Sequence, residues 1–503
     1  MSEPYLITTA INYPNGRPHI GHAYEGIAAD AIARFQRARG RDVRLVTGTD
    51  EHGLKMVQTA RANDRDTLEF ADEMSGYFRE MCAVLNISFD SFVRTSEPRH
   101  HEASIAIWKA MEAAGDLYLD RYEGWYSVRD EAFYDESELI AGEGGAKVSP
   151  QGTPVEWTAE ETWFFRLSRY QDRLLALYAE QPDFIRPESR RNEVMRFVEG
   201  GLKDLSVSRT SFDWGVPVPG SPDHVMYVWV DALTTYMTGV GFPDRGGEWA
   251  RFWPANVHLI GKDIVRFHAV YWPAFLMSAG LPIPRQIFAH GFLLARGGEK
   301  MSKSLGNVVD PMELAARYGA DALRYFLLRE VPFGQDGSYS NEAIVNRVNA
   351  ELANSFGNLA QRTLSMIFKN LDGVLPDAGE APEDKELLAL VAQATGVEVP
   401  EAFERFAFSV GIEAWMRAVF ACNQYVDAMA PWALRKTDPA RMAAVLGTLV
   451  VAVRQLAEAI APVIPASVEK LMQAIDAGAG GAPIAAPTPL FPRLELEPED
   501  AAA

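Results

Sequence analysis

The chain has 503 residues, 48% of them hydrophobic and 11% aromatic, the composition of a globular protein too long for one core. Its net charge of −20 excludes a protein that coats nucleic acid by bulk electrostatics, but leaves room for a local basic stripe on a structured RNA. Two cysteines, Cys82 and Cys422, exclude a disulfide framework and a four-cysteine zinc site. No uninterrupted apolar run is long enough for a membrane span, and Met1-Ser2-Glu3-Pro4 does not open like a signal peptide, so a reducing cytoplasm is expected.

Tyr5 to Ile11 reads as a buried strand, and Tyr13-Pro14-Asn15-Gly16 as turn chemistry. A helix is predicted from about His19–His22 to Arg39, with Ile27, Ala28, Ala31, Ile32 and Phe35 on one face. Val43 to Gly48 is the next strand, so the first fifty residues form a βαβ unit and predict a parallel sheet. Residues from about 117 to 226 break the rhythm. There, acidic and aromatic residues mix with the loop Ala141-Gly142-Glu143-Gly144-Gly145, as in an insertion between two halves of the sheet domain. The α/β pattern then resumes with strands at Met226–Val230 and Val257–Gly261, a helix over Ile264–Ala279 and a strand at Gln286–Ala289. From about Asn341 the text is helical, and the amphipathic stretches Arg417–Met429 and Met442–Ile460 predict a helix bundle. Ala477 to Pro489, rich in Ala, Gly and Pro, reads as a loop or a poorly ordered tail; there is no internal repeat.

Two short motifs carry chemistry. Pro18-His19-Ile20-Gly21-His22 sits where a turn enters a helix. Helix N-termini present N–H groups and partial positive charge to phosphate, imidazoles add donors, and Gly21 allows close approach. Taken alone, a His-x-x-His is more often a cap. Lys300-Met301-Ser302-Lys303-Ser304 lies between glycines, and Lys300 and Lys303 could neutralise charge developing on departing pyrophosphate. Taken alone, it is more often a solvated charged loop.

Together the two motifs resemble the HIGH and KMSKS signatures of class I aminoacyl-tRNA synthetases, matched letter for letter. Further segments are similar to the methionyl-tRNA synthetases: Ala10-Ile11-Asn12-Tyr13-Pro14-Asn15-Gly16, Thr47-Gly48-Thr49-Asp50-Glu51-His52-Gly53, Tyr227–Ala232 with Tyr236, and Gly261 to His268. The resemblance implies an α/β fold: a Rossmann-like parallel-sheet catalytic domain split by a connective-peptide insertion, followed by an all-α helix-bundle anticodon-binding domain. The expected divisions are 1–116 and 227–295 for the catalytic halves, 117–226 for the insertion, 296–350 for the KMSKS loop and stem-contact region, 351–475 for the bundle and 476–503 for a tail.

The resemblance implies these roles. Asp50 holds the α-ammonium of methionine, assisted by the Ile11 backbone, and Tyr13, Trp229, Ala232, Tyr236, Ile264 and His268 surround its thioether side chain. His19, Gly21, His22, Lys300 and Lys303 meet the triphosphate of ATP, Gly261 and Asp263 the ribose, and His290-Gly291 the adenine, with His19, His22, Lys300 and Lys303 as the catalytic set and Arg209 near the site. Asn358, Arg362 and Trp432 match the anticodon-reading positions; for each aromatic, ordinary core packing is the alternative. ATP with Mg²⁺ is the implied cofactor, and methionine and the initiator and elongator methionine tRNAs are the partners of an expected monomer. Many members carry a Cys-ligated zinc knuckle in the insertion. Here Glu123 to Pro154 contains no cysteine, so no structural zinc is expected, and Trp125, Tyr126, Phe133 and Tyr134 must hold that segment by packing. The insertion is also short for an editing domain of the kind carried by the isoleucine, valine and leucine enzymes. A small-molecule nucleotidylyltransferase and a non-catalytic RNA-binding relative remain open at this point.

Overall fold

Pro4–Thr9 (β1) buries five residues in succession, with no alternation between faces. Such a strand belongs in the middle of a sheet covered on both sides. β1 pairs in parallel with Asp42–Thr49 (β2) on one side, Leu6 opposite Arg44, and with Val257–Gly261 on the other, Thr8 opposite His258. With Ser91–Arg94 as β3, Ile185–Arg186 as β4, Val257–Gly261 as β5 and Ile287–His290 as β6, the six-stranded order is β3-β2-β1-β5-β6-β4, all parallel. The chain leaves β1 towards β2 and returns on its other flank at β5, so strand order reverses at β1. In open α/β sheets ligands bind at the carboxyl ends of the strands flanking that reversal.

The computed structural model describes residues 2–130, 132–142, 145–294 and 308–496. The chain divides into two compact units, one of Met1–Pro18, Gly40–Cys82 and Ser88–His290, the other of His19–Arg39, Ala83–Ile87 and Gly291–Ala503.

In the first unit, Leu117–Ser127, Ala132–Tyr134, Glu156–Phe165 and Leu205–Ser206 make an antiparallel sheet within the stretch read as an insertion. The same stretch also supplies β4, the edge of the parallel sheet. Its tip is held by more than aromatics. Trp125 meets Trp157 edge-to-face at 5.4 Å, and the Asp130 carboxylate accepts hydrogen bonds from Tyr134 (3.0 Å), Ser149 (2.7 Å) and Thr153 (2.5 Å). The Phe133 side chain lies outside the described residues. Helix Pro98–Ala113 (α2) and helix Val228–Thr238 (α3) pack against each other.

One expected element differs. Met226–Val230 is not one strand: a strand ends at Met226, and α3 starts at Val228. α3 is buried almost all round, and an all-apolar run cannot be told from a strand by periodicity. The helix expected over Ile264–Ala279 is present and continuous to Ser278; after a tight first turn at Lys262–Ile264 it widens to π-helical geometry over Phe267–Tyr271, directly before Trp272-Pro273.

The second unit includes Ile20–Ala38 (α1) and a run of helices that open on Pro311, Pro382, Pro431, Pro439 and Pro465. Proline at N1 pre-sets the dihedral and gives up a donor that had no partner. Pro439–Ile460 is apolar and long enough to span a membrane, but it packs among Asn358–Asn370, Pro382–Gln393 and Phe408–Met429 as the core of the bundle. The buried Trp415 indole donates to the Leu456 carbonyl at 2.8 Å. The stretch Ala477–Pro489 is an irregular loop tied to the bundle: the Ile484 N–H donates to Gly373 O at 2.9 Å, and Gln361 donates to Pro487 O at 3.0 Å.

Candidate active site

The loop after β1 and the end of β2 are joined by backbone bonds. Asn12 N–H donates to Gly48 O (2.9 Å) and Asp50 N–H to Asn12 O (2.8 Å), while Ala10 N–H donates to Leu259 O (3.0 Å) of β5. Gly48 is required here, because an added Cβ would sit 1.9 Å from Val93 O of β3. Ile11 and the buried Asp50 therefore stand at the carboxyl ends of the central strands. Gly261 ends β5, and Asp263 folds its carboxylate back over the Gly261 Cα. His290, 6% exposed, ends β6.

α3 and the segment after β5 build an aromatic wall. Trp229 stacks on Phe267, centroids 3.9 Å apart and planes 4° from parallel, and meets His268 edge-on at 5.9 Å. Burial holds His268 down to about 4, so its ring is neutral at neutral pH. Its Nδ1–H then donates to Ile264 O (2.9 Å), and its Nε2 accepts from the Tyr236 hydroxyl (2.6 Å). Ala232 is buried on the same helix. The wall carries no fixed charge, and the Trp229 Nε1–H is buried without a hydrogen-bond partner. Tyr13 packs on a second cluster formed by Met56, Phe70 and Met74, beside Trp214 and Tyr77. Arg209 is buried, donates to Ser206 Oγ (3.0 Å) and Ser208 O (2.6 Å), and lies over the Tyr227 ring at 4.6 Å.

In the second unit, His19 and His22 form a reciprocal cap on α1. Gly21 N–H donates to His19 Nδ1 and His19 N–H to His22 Nδ1, both at 3.1 Å, and the rings stack at 3.7 Å. With Nδ1 accepting in each ring, the neutral tautomer carries its proton on Nε2, the atom suited to donate to an anion. Capping and phosphate binding thus use different ring atoms, so the two readings of this motif do not compete. An added Cβ at Gly21 would lie 2.9 Å from the His19 ring. Gly291 packs against the Gln335–Asp336 backbone. Lys300 and Lys303 lie outside the described residues.

Comparison with known proteins gives the family. Residues 5–364 match the family described as tRNA synthetases class I (M), and residues 375–486 match the anticodon binding domain of methionyl tRNA ligase. The chain belongs to the methionyl-tRNA synthetase family. It is 57% identical over 505 residues to the methionine–tRNA ligase of Brucella suis, 98% of either chain, and 56% identical over 509 residues to that of Rhizobium meliloti, again 98% of either. It is similar to the crystal structure of Mycobacterium tuberculosis methionyl-tRNA synthetase bound by methionyl-adenylate, with TM-score 0.94, 55% identity and coverage of 97% of this chain and 100% of that one. The apo form of the same Mycobacterium tuberculosis enzyme aligns with TM-score 0.87 and 52% identity, covering 99% of each chain. This membership decides against the small-molecule nucleotidylyltransferase and the non-catalytic relative; the activity is that of a methionine–tRNA ligase.

At the bundle end, the Arg362 guanidinium lies 5.5 Å from the centre of the Trp432 ring and donates to Asp427 at 3.4 Å. Trp432 follows Pro431 in the first turn of its helix and is 49% exposed, which is not the burial of a core residue. Asn358 is exposed one turn before Arg362 on the same helix.

Sequence reasoning passed over the groups that fix Asp50. The neighbouring Glu51 is fully buried and accepts from Arg94 (2.7 and 2.9 Å), Ser96 (2.5 Å) and Thr49 (2.7 Å). His52 donates into the Asp231 carboxylate. The available signal was three consecutive polar residues, Asp50-Glu51-His52, directly after a strand, and one aspartate inside the apolar run of α3.

Proposed function

We propose that this chain divides methionine activation among its residues as follows. The Asp50 carboxylate holds the α-ammonium of methionine beside the Ile11 backbone. The side chain lies against Tyr13, Trp229, Ala232, Tyr236, Ile264 and His268. A wall without fixed charge accepts a thioether and imposes a desolvation penalty on a charged competitor. The observation that carries this reading is the neutral Tyr236–His268 pair beside the stacked Trp229.

ATP enters as its magnesium complex. Gly261 and Asp263 take the ribose and His290-Gly291 the adenine; His19, Gly21 and His22, with Lys300 and Lys303, take the phosphates. A methionine carboxylate oxygen bonds to the α-phosphorus while the bond to pyrophosphate breaks. The donors and ammonium groups stabilise the charge that develops, so the rate rests on positioning and electrostatics without a covalent enzyme intermediate. A ribose hydroxyl of the terminal adenosine of tRNA then attacks the methionyl carbonyl and releases AMP. Arg362 and Trp432, with Asn358, read the anticodon by stacking and base-edge contacts in initiator and elongator methionine tRNA alike. The enzyme works as a cytoplasmic monomer. Amino-acid-dependent ATP–pyrophosphate exchange tests the reading: methionine alone among the twenty should support exchange, and equal support by another amino acid would overturn it.

A further inference from the structure

Asp231 is 1% exposed and lies in the first turn of α3, the helix that carries Trp229, Ala232 and Tyr236. One of its oxygens, Oδ2, is 2.6 Å from His52 Nδ1, and the other, Oδ1, is 2.6 Å from His100 Nε2. Ser104 of α2 donates to Oδ1 at 3.5 Å, and His100 Nδ1 returns to α3 at Thr238 Oγ1, 2.9 Å away. Burial alone would raise the Asp231 carboxyl, but the two imidazoles more than offset it and hold the group below the usual carboxylate range. Asp231 is thus a carboxylate with both oxygens engaged by rings from two other elements.

His52 stands two residues after Asp50. The segment is gripped from three sides: Asp50 N–H by Asn12 O, Glu51 by Arg94 and Ser96, and His52 by Asp231. Trp214 closes the bracket, donating to Glu51 O at 2.6 Å and meeting the His52 ring edge-on at 5.4 Å. Of these grips, the one from Asp231 ties the ammonium-binding segment to the helix that carries the side-chain wall. A buried carboxylate is a costly way to fill space, since well-packed apolar groups of the same volume are often no less stabilising. What the carboxylate adds is direction, because two short charge-assisted bonds fix both ring planes.

We infer that Asp231 is a positioning residue for methionine, acting through His52 to set Asp50 at its working distance from the Trp229–Tyr236 wall. The inference rests on the reading that Asp50 binds the α-ammonium. Asp231→Asn keeps the shape and removes the charge and one acceptor, leaving one ring without a good partner.

Two ligands separate positioning from packing: methioninol, which keeps the ammonium, and its desamino analogue, which keeps only the side chain and alcohol. Binding of each to the full chain is measured by calorimetry without ATP. The native chain should prefer methioninol; if it does not, the reading of Asp50 fails before Asp231 is tested. Asp231→Asn should weaken methioninol by about 10- to 100-fold, the worth of one hydrogen bond to a charged group, and leave the desamino analogue unchanged. Equal weakening of both ligands, or of neither, overturns the inference. Should Asp231→Asn not fold, His52→Asn and His52→Leu take its place. Asparagine offers an N–H where Nδ1 stood and leucine offers none, so only the leucine variant should show the ammonium-dependent loss. The same result in both variants overturns the inference.

Discussion

Replacing Arg324 with methionine should destabilise the unit that carries the histidine pair. The guanidinium is fully buried and every bond it makes is internal to that unit. It donates to Asp30 Oδ2 at 2.6 Å, Val463 O at 2.9 Å, Pro462 O at 2.9 Å, Leu85 O at 3.1 Å and Asn86 O at 3.3 Å. Asp30 belongs to α1, three turns along from His19, and Val463 follows the long bundle helix. The substitution takes the Arg324 donor from a fully buried carboxylate, which keeps Arg34 Nε at 2.7 Å, and from four carbonyls, of which Asn86 O keeps Arg34 Nη2 at 2.8 Å. Breaking a buried pair from one side costs about 3–5 kcal/mol; the surviving Arg34 contact argues for the lower part of that range, and the carbonyls that lose a donor for the upper, giving about 4 kcal/mol. At about 2–4 °C per kcal/mol for a unit of this size, Tm should fall by about 8–16 °C. Differential scanning calorimetry reads the shift, and hydrogen exchange along Ile20–Ala38 localises it. Asp30→Asn added to Arg324→Met should recover part of the loss, because the uncompensated charge is then gone. A loss under about 1 kcal/mol, or a double variant no more stable than the single one, would refute the claim that this buried ion pair organises the unit.

Three further outcomes are expected. Trp432→Ala should raise the KM for tRNA about 5- to 150-fold, the worth of ~1–3 kcal/mol of base stacking, with ATP–pyrophosphate exchange unaltered; an equal fall in exchange would make Trp432 structural. Lys303→Ala should slow single-turnover adenylate formation by about 10²–10³-fold with methionine affinity kept, as for loss of one charge-stabilising donor; an unchanged rate would remove the role given to that lysine. The pKa of His268 is held down to about 4 in the folded chain against about 6.5 unfolded, so between those values only the unfolded state takes up the proton. Stability should therefore rise with pH across that window, by about 3 kcal/mol in all, and level off above it. His268→Gln should flatten this slope by up to one proton in urea titrations at pH 5 and 7, and an unchanged slope would show that His268 is not excluded from protonation.

The parts of this protein that were legible in advance share one property: their physics is local. The strand–turn–helix–strand of the first fifty residues follows from apolar runs, a Pro-Asn-Gly turn and a capped helix, each confined to a short window. The signature of two histidines is likewise local, and the reciprocal cap is made wholly within His19–His22. Other features lacked a local signal. Ile185–Arg186 joins the parallel sheet with two residues, too few to show a period. α3 reads as a strand at its start because Val228–Val230 continue the apolar run from Met226, and its polar residues, Asp231, Thr234, Thr235 and Thr238, come only after that run and are buried. Asp231, His52 and His100 come from three segments far apart in the chain, and His52 and His100 each stand among other polar residues, so nothing in the sequence marks them as partners of Asp231. The same division runs through the site itself. Groups that touch the ligand sit in recognisable short segments, because substrate chemistry restricts residue type at a given spacing. Groups that hold those segments in place need only reach them from wherever the chain passes, so their spacing carries no period. A buried charge inside a largely apolar helix is the exception that sequence can offer: its desolvation cost demands a partner from another element, and in α3 the structure supplies His52 and His100 to Asp231.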